Sequence, residues 1–132
     1  MIENIDKKIF AIDCDGTVVT HEYPNMGTDV PHAVAVLKEL VEKGAKLILY
    51  TMRSNDKLEE AINWFKEKDI PLWGINENPE QTSWTNSRKV YAHHYVDDAA
   101  LGCPLLPGLR TERPYVDWTA ISYLIFGAPP RE

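Results

Sequence analysis

Short apolar runs alternate along this chain with stretches of helical period, and that alternation constrains the fold more than any other feature. Ile9-Phe10-Ala11-Ile12 is a continuous apolar run, the pattern of a strand buried on both faces of a parallel sheet. A helix is expected to open at Pro31, with Val34, Leu37, Leu40 and Val41 on one face and Gly44 as its stop. Residues 45–50 form a second apolar run ending at Thr51. A second helix is expected from Ser54 to about Lys68, with Leu58, Ile62 and Phe65 as its stripe. Residues 72–75 read as a third strand, a short helix is expected at Ser87, and His94-Tyr95-Val96 as a fourth strand. A last helix begins near Asp117 and stops at Gly127. Strands alternating with helices imply right-handed crossovers and a doubly wound, mainly parallel α/β sheet. The 132 residues are enough for one such domain, residues 1–132, but not for two.

Ligands of such sheets collect at the carboxyl ends of the strands. Three of the apolar runs end in polar residues at that edge: Asp13 and Asp15, then Thr51, then Asp97 and Asp98. In an extended segment residues i and i+2 point to the same side, so Asp13 and Asp15 are expected to converge. Converging carboxylates repel unless a cation lies between them or one stays protonated. Asp13-Cys14-Asp15-Gly16-Thr17 alone could be a solvated loop, but acids and a hydroxyl recurring at the ends of three strands argue for a site. Oxygen donors suit a hard cation such as magnesium. The four histidines have no zinc-ligand spacing to either cysteine. Lys89, with Arg88 beside it, lies shortly before the fourth strand and is expected to reach this crevice.

A formal charge of -6 argues against a dedicated nucleic-acid surface, which is usually basic. Cys14 and Cys103 make no disulfide framework, and Cys14 reads as a small core residue. No basic stretch followed by an apolar one marks the N-terminus as a secretion signal, and no run reaches membrane-spanning length. A cytoplasmic protein with no membrane partner is the expectation.

In order and in strand context, Asp13-Cys14-Asp15-Gly16-Thr17, Leu49-Tyr50-Thr51, Lys89 and Tyr95-Val96-Asp97-Asp98 resemble the four motifs of the haloacid dehalogenase-like superfamily. The resemblance spans residues 7 to about 101. It implies a small capless phosphatase that forms an aspartyl-phosphate on Asp13, with Asp15 as general acid and base. It assigns magnesium to Asp13, Asp15 and the acidic pair, with Asp98 the first choice to touch the metal and Asp97 behind it, phosphoryl contacts to Thr51, Gly16, Thr17, Met52 and Arg53, and charge neutralisation to Lys89. The second acid, Asp15, favours phosphoester hydrolysis over dehalogenation. A phosphate- or metal-binding regulatory protein without turnover, or a phosphatase of nucleic-acid ends, are the alternatives.

The gaps where this superfamily inserts a cap, residues 16–30 and 76–88, are too short for a domain. An uncapped site implies a large phosphorylated substrate or closure by a second copy of the chain. His21 and Tyr23 in the first gap, and Trp84 in the second, are candidate contacts. Arg53 reads equally as an anion contact or as a surface charge, and Trp73 as core.

Overall fold

The computed structural model describes residues 1–108 and 113–131. Four parallel strands, β1 (Ile9–Ile12), β2 (Lys46–Leu49), β3 (Gly74–Ile75) and β4 (His94–Val96), form one sheet in the order β3-β2-β1-β4. β1 is central: Phe10 lies opposite Leu47 on one side and His94 on the other. The chain steps outward from β1 to β3, then returns to put β4 on the far side of β1. That reversal is a topological switch point, where the loops after β1 and β4 diverge and leave a crevice.

The helices α1 (Ala33–Glu42), α2 (Asn55–Glu67) and α3 (Trp118–Phe126) share one core with Phe10, Ile12, Leu47, Leu49 and Val96. They contribute Val36, Leu37 and Leu40 from α1, Ala61, Trp64 and Phe65 from α2, and Trp118, Ile121 and Ile125 from α3. Ala11 and Ile48, which alternate with those strand residues, are buried outside this core. Asp117 caps α3 by accepting from the Ala120 amide at 3.1 Å, and Gly127 ends it in the left-handed conformation that a side chain disfavours.

Three expectations are corrected. The helix anticipated from Pro31 begins at Ala33. The helix anticipated at Ser87 is absent: between β3 and β4 the one helical turn is a 3-10 turn at Gln81–Ser83. Side chains take the backbone groups a helix would need. Gln81 Nε2 donates to the carbonyls of Ser87 at 3.1 Å and Lys89 at 2.8 Å, and its Oε1 accepts from the Tyr91 amide at 2.8 Å. Trp73 is half-buried outside the core, with the Lys46 ammonium 4.6 Å from its ring centroid.

A two-stranded antiparallel ribbon, β5 (Leu105–Leu106) and β6 (Tyr115–Val116), follows β4 and had no clear sequence signal. β6 is tied to the first motif, since the Val116 amide donates to the Gly16 carbonyl at 3.0 Å. The indole of Trp118 donates to the Thr17 carbonyl at 2.7 Å. The segment after β4 is therefore anchored on the loop that follows β1.

Candidate metal and anion site

β1 delivers Asp13 to the carboxyl edge of the sheet and β4 delivers Asp97 and Asp98 beside it. Carboxylate oxygens of the three lie within 4.8 Å of one another. Thr17 bridges the two loops: its hydroxyl donates to Asp13 Oδ2 at 3.0 Å and accepts from the Asp98 amide at 3.2 Å. Gly16 is required between them. Its φ is +81°, and a Cβ there would stand 2.2 Å from Asp98 Oδ2.

Burial pushes the Asp13 carboxyl up to about 8, and the charge of Asp97 adds to the effect. Burial likewise raises Asp98 above the usual carboxylate range, with Asp97 contributing. A hard cation among these oxygens would offset both the desolvation and the mutual repulsion, so the donor set fits magnesium-like chemistry. The Cys14 thiol, buried and facing the charge of Asp15, is pushed up to about 12 and is inert at neutral pH.

Asp15 lines the same cavity but is not one of the trio. Arg53 grips it with two parallel bonds, Nε to Oδ2 at 2.8 Å and Nη2 to Oδ1 at 2.7 Å. The same guanidinium donates to the carbonyl of Asn25 at 2.9 Å, and lies 5.1 Å from the ring centroid of Tyr23. Arg53 is 3% exposed, so it is neither the surface charge nor the readily available anion contact that the sequence offered. It fastens the flap after β1 to the second motif.

Thr51 lies at the carboxyl end of β2. Its amide donates to Asn76 Oδ1 at 2.8 Å, and its hydroxyl oxygen accepts from the Arg53 amide at 3.1 Å, which leaves the hydroxyl proton to point at a ligand. A cavity of about 490 Å³ joins Asp13, Asp15, Thr51, Asp97 and Asp98 with His21, Tyr23, Met52, Arg53 and Arg113.

No protein-family model matches the chain, and no curated protein matches it. Among solved structures it is similar to a conserved protein from Bacteroides thetaiotaomicron, 31% identical, with 90% of this chain and 89% of that chain covered and a TM-score of 0.74. The chain belongs to the family of that protein.

Within this family member, the structure gathers Asp13, Asp97, Asp98 and Thr51 around one crevice and sets Asp15 against Arg53. Thr17 is spent on ordering two of the aspartates, Gly16 makes room for Asp98, and Met52 stands at the rim, 98% exposed. Lys89 is not brought to the aspartates. It lines a separate cavity with Trp84, Tyr91 and Tyr95, its ammonium 5.9 Å from the Tyr95 ring centroid. Arg88 lines a third cavity with Asn76 and Gln81. His21 and Tyr23 do reach the aspartate cavity, whereas Trp84, 62% exposed, packs edge-on against Tyr91 away from it. Two residues escaped sequence reasoning. Asn76 is an ordinary loop residue until β3 lands beside Thr51, and Arg113 follows the last strand of the sheet by 17 positions, with no spacing to betray it. No helix among the described residues is long and apolar enough to cross a membrane.

Proposed function

We propose that the protein is a magnesium-dependent phosphoester hydrolase of the haloacid dehalogenase-like kind, acting through an aspartyl-phosphate. The observation that carries the reading is the trio itself. Asp13 sits at a strand end with one oxygen held by Thr17, inside a cluster of carboxylates whose raised proton affinity calls for a cation. A carboxylate so oriented is a nucleophile in waiting.

In this reading Asp13 attacks phosphorus, the ester P–O bond breaks, and its electron pair leaves with the departing oxygen. Water then attacks the same phosphorus, the bond to Asp13 breaks, and the water proton passes to Asp15. Magnesium, when held by Asp13, Asp97 and Asp98, would screen charge between the nucleophile and the phosphoryl oxygens. Thr51 offers its hydroxyl to one of those oxygens.

A panel of phosphoesters assayed with and without magnesium tests the reading, with Asp13→Asn as the blank. Chelator-sensitive release of phosphate by the parent, reduced by at least about a thousandfold in Asp13→Asn, is expected. Magnesium binding with no turnover on any ester would leave instead a metal-binding protein of the same fold.

A further inference from the structure

We propose that Arg113 is the cation that receives the substrate phosphoryl group in the aspartate cavity, the role that the motif resemblance gives to Lys89. The proposal deepens the phosphoester reading and rests on it for the identity of the anion.

Among the described residues, the cavity holding Asp13, Thr51 and Asp98 has two guanidinium groups on its wall, Arg53 and Arg113. Arg53 is committed. Three of its nitrogens already donate to Asp15, to the Asn25 carbonyl and to the carbonyls of Pro24 and Lys57. Releasing it would leave the Asp15 carboxylate without its partner. Arg113 is exposed, makes no ion pair with any described carboxylate, and donates from Nη1 to Nε2 of His21 at 3.0 Å. A guanidinium has only donors, so that imidazole nitrogen accepts, and among the described residues the Arg113 side chain makes no other hydrogen bond.

The position is set by the fold. Arg113 precedes β6 by two residues, and β6 is bonded through Val116 to the Gly16 carbonyl, in the loop that carries the first motif. The anchor that ties the second ribbon strand to the Gly16 carbonyl therefore brings Arg113 to the wall of the same cavity. His21 holds it from the flap. A planar, forked donor with a fixed charge matches tetrahedral phosphate oxygens better than a lone ammonium does. Lys89 faces an aromatic cavity lined by Trp84, Tyr91 and Tyr95.

Orthophosphate binding, measured by calorimetry at saturating magnesium, tests this on the full chain without requiring turnover. Arg113→Gln should weaken orthophosphate binding by about tenfold or more, and Arg113→Lys by less, as expected when one charge-assisted fork is lost. Melting curves check that both variants fold. Orthophosphate binding unchanged in Arg113→Gln, a loss of equal size in Lys89→Gln, or no binding by the parent would each overturn the assignment. The phosphoester reading fails separately: a parent that binds orthophosphate through Arg113 yet hydrolyses no ester keeps the anion site and loses the reaction.

Discussion

Arg53 and Asp15, 38 residues apart, meet in two parallel hydrogen bonds of 2.8 and 2.7 Å, and the arginine that makes them is almost wholly buried. One side chain thereby joins the strand-end motif, the flap and the second motif. Arg53→Met should lower unfolding free energy by about 3 kcal/mol in urea titrations, because it strands a partly buried carboxylate. Arg53→Lys should recover only part of this, since an ammonium cannot make both bonds. A loss below about 0.5 kcal/mol in Arg53→Met would mean that the pair is not structural.

The same pairing bears on the chemistry. Both Asp15 oxygens accept from Arg53, so neither is free to carry a proton to a leaving oxygen while that pair holds. Hydrolysis should therefore favour esters whose leaving oxygen needs little help. Aryl phosphates are expected to exceed simple alkyl phosphates by at least about a hundredfold in kcat/KM. Equal rates across leaving groups of different basicity would show that Asp15 delivers a proton despite Arg53.

For Asp13 the sign follows from its raised folded-state value of about 8 against an ordinary 3.8. Its protonated form is the favoured one in the folded protein. The stability that this contributes is present below about pH 4 and lost as pH rises through about 8. The metal-free protein should melt lower at pH 8 than at pH 5 on this account, and Asp13→Asn should flatten that fall and raise the melting temperature at pH 8 by about 5 °C or more. Magnesium should restore the parent at pH 8 by binding only the native state, and chelator should reverse it. Identical pH profiles for parent and variant would contradict the burial of Asp13.

Gly16→Ala places a methyl group where Asp98 now sits, in a backbone conformation that alanine resists. It should cost about 1–2 kcal/mol in stability and weaken magnesium binding far more than Gly102→Ala. Gly102 also has a positive φ, but a Cβ there meets nothing within 4 Å. Equal effects at the two glycines would locate the penalty in the backbone alone, and not in the placement of Asp98.

Much of the layout was legible from residue order. The run Ile9–Ile12 and the stripes containing Leu37, Leu40 and Phe65 carry their periodicities in the chain itself, and periodicity follows from the local geometry of strand and helix. The alternation of those segments determined the parallel sheet, and the sheet determined that Asp13, Thr51 and Asp97 would share an edge. Tertiary structure decided where the cations went. Arg53 finds Asp15, Gln81 finds the backbone of Ser87 and Lys89 in place of a helix, and Arg113 lines the aspartate cavity because β6 docks on the Gly16 carbonyl. Long side chains pair across tens of residues, and nothing in the local period of a chain encodes which partner folding will bring within 3 Å.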